Sequence, residues 1–199
     1  MSNSEEHKSV EALDGRRLRG ERSRQSIIDA CQELTAEGIL GPTAQQISDR
    51  AGMVIRSFFR HFSGMEELFA TIDAESRESF EALYVGGDRS GNLQERIQHA
   101  VERHAEGYEQ QKNSIKSTLA QMWRYKVLQK SYARYQRGLR RDLDDWLPEL
   151  EALNRSDREA VDAIASAEMW LRLRDQQGLK KKAAVEVVVN LISQVVEKK

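Results

Sequence analysis

An all-α fold is the class this sequence predicts, and three observations predict it. Only two prolines, Pro42 and Pro148, interrupt 199 residues. Long stretches are rich in Ala, Leu, Glu, Lys, Arg and Gln, which cost least in a helix. Apolar residues recur at spacings of three and four through most of the chain. The chain sorts into a flexible basic arm (1–22), a small three-helix unit built on a helix-turn-helix (23–69) and a larger helical domain (70–199). Lys plus Arg number 31 against 32 Asp plus Glu. A nucleic-acid binder with that balance must gather its positive charge locally.

Residues 1–15 are polar and mixed in charge, and read as a segment without regular structure. From Arg16 to Arg24 there are five arginines against one glutamate. Next to a helical pair, Arg16, Arg17, Arg19 and Arg22 read as an arm that touches phosphates or enters a narrow minor groove. The first helix is expected from about Ser23 to Glu37, with Ile27, Cys31 and Leu34 on its buried face and Gly38 as its C-terminal stop. Cys31 is a small core residue on this reading. As the single cysteine it allows no internal disulfide, which fits a reducing cytoplasm.

Thr43 to Phe62 reads as two short helices around a turn at Gly52. Thr43 caps the first, with Gln46 at capping-box spacing. Ile47 and Ala51 form its apolar face. The second helix carries Phe58 and Phe62 inward, which leaves Ile55, Arg56, Ser57, Phe59, Arg60 and His61 on or near its other faces. A short helix with an aromatic back and a cationic front suits a major groove.

Arg24 to Leu68 resembles the N-terminal domain of the tetracycline-repressor (TetR) family of transcriptional regulators. Four features carry the resemblance: the helix ending in Glu37-Gly38, Thr43 opening the next helix, Ala51-Gly52 at the turn, and Phe59-Arg60-His61-Phe62 leading into Glu66-Glu67-Leu68. Phe59 stands in the place of the family's usual tyrosine, Val54 where many members have a serine, and Met65 where a lysine is common. The resemblance implies a homodimer that reads double-stranded operator DNA and responds to a small-molecule effector, more often as a repressor. On it, Arg56 contacts a guanine and Gln45 a base edge, while Ile55, Ser57, Phe59, Arg60 and His61 touch bases, backbone or a thymine methyl. Thr43 faces a phosphate.

Ser63 is expected to cap a fourth helix with Glu66 in box position, and the stripe Leu68, Phe69, Ile72, Phe80, Leu83 runs to about Val85. Gly86-Gly87 and Gly91 end it. The next helices are expected over Asn92–Gln111, Ser114–Lys126 and Val127 to the stop at Pro148. His104 and Tyr108 lie on an apolar face, and Met122, Trp123, Tyr125, Tyr132 and Tyr135 follow. Aromatic groups with polar tips around apolar space suit either a satisfied core or a small-molecule pocket, and the resemblance favours the pocket. Two final helices are expected, Asp157–Gln177 with a Ser156/Glu159 box, and Lys180–Lys199. Val161, Ile164 and Leu171 of the first, with Val185, Val188, Val189, Ile192 and Val196 of the second, form the expected dimer interface.

The chemistry points away from an enzyme. There is no phosphate-cradling glycine loop, no Cys-x-x-Cys and no His-Glu-x-x-His, so no cofactor is expected. Glu95, His99 and Glu102 share a face that lacks a second coordinating helix, which excludes a metal centre on this reading. No apolar run approaches the roughly 20 residues of a membrane span. Lys112 to Arg141 holds nine basic residues and no acidic one. They read as solvated faces and ion pairs, with an anionic effector as the lesser reading. The alternative to a DNA reader is a helical dimeric interaction protein that has lost specific DNA reading.

Overall fold

The computed structural model describes residues 3–197, with side chains from Arg17 onward. Among the described residues ten α-helices run in order: α1 (Asn3–Ala36), α2 (Ala44–Arg50), α3 (Ile55–His61), α4 (Met65–Ala82), α5 (Leu93–Gln110), α6 (Lys112–Gln121), α7 (Lys126–Trp146), α8 (Arg155–Ile164), α9 (Ala167–Leu171) and α10 (Lys181–Val196). A 3₁₀ turn at Pro148–Ala152 follows α7, and a π turn at Arg172–Gln176 extends α9. No strand occurs among the described residues.

Two cores organise the helices. The first gathers Ile27, Ile28 and Leu34 of α1, Ile47 of α2, Phe58 of α3, Phe62, and Leu68 and Phe69 of α4. Leu128 of α7 completes it, with Met122, Tyr125 and Val127 packed around. The small unit therefore does not close on residues 23–69 by itself; the α6–α7 turn supplies part of its wall. The second core holds Tyr84, Ile97, Tyr108, Leu143, Trp146 and Trp170 with the inner face of α10. Phe80 of α4 and Leu83 at its C-cap pack against it, so one helix serves both cores. Gly107 lets α5 approach the end of α4, because a Cβ there would stand 2.3 Å from the Tyr84 ring.

Several boundaries differ from the sequence reading. α1 is one helix of 34 residues, so Asn3–Arg22 are helical and the start expected at Ser23 does not exist. No proline interrupts this stretch, and its Glu, Lys, Arg, Leu and Ala residues outweigh the roughly 1 kcal/mol that each of Gly15 and Gly20 costs. α4 starts at Met65 with Gly64 at its N-cap. Ser63 bonds instead to Glu67, whose carboxylate accepts from both its N–H (2.7 Å) and its hydroxyl (2.8 Å). Glu66 reaches across the molecule to accept from the Val127 N–H at 2.8 Å.

α6 ends at Gln121, five residues early, so Trp123 is 78% exposed rather than inward. Its indole N–H donates back to the Ala120 carbonyl at 3.1 Å. Asn154, not Ser156, caps α8. The single helix expected over 157–177 breaks at Ala165–Ser166. There the buried Tyr108 hydroxyl takes the Ala165 carbonyl (2.8 Å) and Ser166 caps α9. A tertiary hydrogen bond has overridden local periodicity.

α10 turns its face the other way. Val185, Val188, Val189, Ile192 and Val196 lie inside the subunit's own core with Val161, covered by α5 and α8. Six of the eight residues expected at a dimer interface are thus buried within one chain. Ile164 and Leu171 stay half-buried, as do Val187, Leu191 and Val195 on the opposite stripe of α10.

Candidate nucleic-acid interface

The site is the pair α2–α3. Thr43 opens α2 with a reciprocal box: its hydroxyl accepts from the Gln46 N–H (3.2 Å), and the Gln46 side chain accepts from the Thr43 N–H (2.9 Å). Gly52 makes the turn at φ +67, a conformation that favours glycine. α3 then packs its back on α1 and α2 through fully buried Phe58, and Phe62 follows as its C-cap. The rings of Phe58 and Phe62 lie 5.9 Å apart. Val54 opens α3 with no side-chain cap and is 71% exposed.

The opposite edge of α3 faces solvent with Arg56, Phe59 and Arg60, spaced i, i+3, i+4. Phe59 is 56% exposed, yet its ring stands edge-on to Phe58 at 5.2 Å, which fixes its direction. Neither Arg56 nor Arg60 has a carboxylate partner among the described residues. Other arginines of the unit are engaged. Arg50 forks onto Glu37 at 2.8 and 2.6 Å and reaches Glu33 at 3.4 Å. Arg24 donates to Thr71 (2.9 Å) and Glu75 (3.3 Å) and lies 4.9 Å over the Phe62 ring. The unpaired cations of α3 are thus a local feature of the exposed edge.

The remaining predicted contacts divide. Thr43 and Gln45 are exposed; the Gln45 amide donates to Asp49 at 2.7 Å and must release it to meet a base. Ile55 and Ser57 are half-buried at the flanks. The His61 Nε2 is buried without a hydrogen bond. Burial, then Arg60 and Arg24, push its pKa below 6.5, so the ring is neutral at pH 7. Arg17 and Arg19 are exposed on α1, while the side chain of Arg16 lies outside the described residues. Because this stretch is helical, and a helix about 10 Å across does not enter a groove about 6 Å wide, a minor-groove contact would be made by its side chains alone.

The expected small-molecule residues are dispersed. His104 Nε2 meets Asp142 Oδ2 at 2.9 Å, and Arg89 donates to the other oxygen of that carboxylate at 2.7 Å. Tyr108 is spent on Ala165. Both belong to a satisfied core, beside a void of about 10 Å³. Met122 and Tyr125 pack in the first core and Trp123 faces solvent. Tyr132 and Tyr135 do line a cavity, of about 530 Å³, bounded by α1, α4, α6 and α7.

Phe69, Ile72 and Phe80 form the apolar wall of that cavity, and Thr35, Ser114, Thr118 and Gln121 the polar one. The sequence carried one signal for the second set, the polar spacing Ser114, Thr118, Gln121 along α6. Cys31 also lines the cavity, and burial pushes its thiol up to about 12. Asp73 sits between Arg77 (3.1 Å) and Arg134 (2.5 Å). Burial would raise its pKa, but hydrogen bonds from Arg134, Arg77 and Ser131 outweigh that and hold it low. Much of the basic run 112–141 is likewise paired. Lys112 and Lys116 meet Asp175, and Arg140 meets Glu159 and Asp162. His99 is exposed, and no group of three or more His, Cys, Asp or Glu among the described residues could hold a metal. No described helix is long and apolar enough to cross a membrane.

Residues 27–72 match the profile of the bacterial regulatory proteins of the tetR family. No curated protein is significantly similar to the chain. Among solved structures, a transcriptional regulator from Rhodococcus sp. Rha1 (RHA1_ro04179) superposes with a TM-score of 0.60 at 16% identity, covering 88% of this chain and 96% of its own. The multidrug binding protein EbrR complexed with ethidium gives 0.56 at 20% identity, covering 85% and 98%. The fatty acid degradation regulator FadR from Bacillus halodurans gives 0.52 at 18%, covering 85% and 93%. At these identities the likeness is one of fold. Residues 27–72 thus carry the helix-turn-helix domain of the tetR family of bacterial regulatory proteins, set in an all-helical architecture shared with these solved structures.

Proposed function

We propose that the protein is a homodimeric, ligand-responsive repressor acting in the cytoplasm, which reads a palindromic operator with α3. The observation that carries the reading is the solvent edge of that helix. Two arginines without carboxylate partners flank a braced aromatic ring, on a helix short enough for a major groove. The half-buried stripe Val187, Leu191, Val195 on α10, with Ile164 of α8, supplies the apolar face a twin would cover. The 530 Å³ cavity is of the size that holds a drug-sized effector. An effector there would touch α1, α4 and α6 together and so change the separation of the two reading heads.

Selection of bound fragments from random double-stranded DNA tests the reading. An inverted repeat should emerge, with half-sites centred about one helical turn, roughly 34–36 Å, or a multiple apart. A second reading, a helical dimer without specific DNA recognition, draws on exposed, uncapped Val54 at the start of α3. A selection that enriches no sequence would favour it.

A further inference from the structure

We propose that the turn between α6 and α7, Trp123 to Lys126, is a second contact surface for the DNA backbone. The proposal rests on the reading of α3 as the DNA-reading helix. Its first support is position. The segments flanking α2 and α3 are residues 40–43, which lead into α2, and 63–66, which open α4. The α6–α7 turn is tied to both. The Gln121 amide donates to the Leu40 carbonyl at 2.8 Å, and the Val127 N–H donates to Glu66 at 2.8 Å. Tyr125 packs edge-on to Phe69 at 5.1 Å, inside the core shared with Phe58 and Phe62. The turn is therefore fixed to the frame of the reading unit.

The second support is composition and exposure. Trp123, Arg124, Lys126 and Lys130 are all exposed, and none of the three cations has a carboxylate partner among the described residues. Arg124 lies over the Tyr125 ring at 5.3 Å, which orients its guanidinium without neutralising it. The two nearby carboxylates are turned onto other donors, Glu66 onto Val127 and Glu67 onto Ser63. Elsewhere on α6 and α7, Lys112, Lys116, Arg134 and Arg140 are paired with acids. Unpaired cations beside a solvent-facing indole, fixed to the edge of a helix-turn-helix, fit a sugar-phosphate backbone. They give affinity and carry no sequence information.

The full-length protein on its selected operator provides the test. Each phosphate contact contributes about 0.9 to the slope of log affinity against log salt. The double variant Arg124→Ala/Lys126→Ala should lower that slope by about 1.8 per subunit and leave the selected sequence unchanged. Arg137→Ala/Arg141→Ala, farther along α7, should leave the slope where it was. Trp123 is the one exposed tryptophan of three. Acrylamide quenching of the intrinsic fluorescence should therefore fall when operator is added. An unchanged slope together with unchanged quenching overturns this inference and leaves operator reading by α3 standing. A chain that binds no DNA overturns both.

Discussion

Phe59 gives the sharpest handle on how the operator is read. It projects from the solvent-facing edge of α3, 56% exposed and held edge-on to Phe58. A phenyl ring has no hydrogen bond to offer a base. The major-groove feature it can recognise is the thymine C5 methyl. Burying one methyl group is worth about 0.8 kcal/mol. Replacing that thymine by deoxyuridine removes the methyl and no hydrogen-bonding group. In a palindrome read by two subunits the change occurs twice, so the loss is about 1.6 kcal/mol, roughly fifteenfold in affinity. Fluorescence anisotropy on operators carrying symmetric deoxyuridine pairs, scanned through every thymine, should find one pair with that loss. In Phe59→Ala the same pair should be nearly silent, because the ring that sensed the methyl is gone. If no thymine responds, or if the response survives in Phe59→Ala, Phe59 does not read a base.

Arg56→Ala should cost about 1–3 kcal/mol on the operator and relax one base position, as binding to a panel of single-base variants would reveal; an equal loss on random DNA would reduce Arg56 to a phosphate contact. Val187→Glu should yield folded monomers by light scattering, whereas Val189→Glu places an unpaired charge inside the subunit and should lower the melting temperature sharply. His61 has a folded pKa below the 6.5 of its unfolded state, so its contribution to stability is present above pH 6.5 and is lost as pH falls through the lower, folded value. Thermal melts between pH 7 and 5 should show a decline that His61→Gln lessens. Deleting residues 1–22 should lower the salt slope by about 0.9 for each phosphate that the arm neutralises, and an unchanged slope would show that the basic N-terminal stretch stays off the DNA.

Where side chains act within their own helix, the sequence was a sufficient guide. Thr43 and Gln46 close a box over three residues, and Ile47, Phe58 and Phe62 follow from helical spacing. The core behind α3 was legible for that reason. It failed where a distant group decides the local structure. Nothing near Ala165 announces that Tyr108, 57 residues earlier, will take its carbonyl and break the helix. Trp123 looked inward because the helical period was carried past Gln121, where α6 stops.

The α10 stripe is a third kind of case. Val-Glu-Val-Val-Val-Asn-Leu-Ile-Ser-Gln-Val-Val is apolar on two faces, so periodicity cannot say which face the subunit covers. α5 and α8 chose Val185, Val188 and Ile192, and left Val187, Leu191 and Val195 half-covered. The cavity was only partly legible because its walls come from several helices distant in sequence. Of the residues expected around a small molecule, only Tyr132 and Tyr135 of α7 line it.

The same cavity bears on how a ligand could influence the exposed edge of α3, and the hydrogen bonds narrow the route. α6 caps the end of the α1 segment at three points: Asn113 donates to the Ala36 carbonyl at 2.7 Å, Ser117 to Leu40 at 2.9 Å, and Gln121 to Leu40 at 2.8 Å. These residues recur every four, on one side of α6, and the neighbouring Ser114 and Thr118 face the cavity with Gln121. On the other wall Phe69 and Ile72 belong to α4, whose first turn holds Val127 through Glu66. A ligand that pushed α6 away from α4 would strain both ties at once. Each tie ends on a segment flanking α2–α3, at Leu40 or at Glu66. Coupling on this geometry needs no long relay, because the cavity wall and the frame of the reading unit share residues. Gln121→Ala, which removes one tie without touching α3, should therefore weaken the response of operator binding to any cavity ligand more than it weakens operator binding itself. The reverse order of effects would mean that Gln121 only supports the fold of the α1–α2 connection.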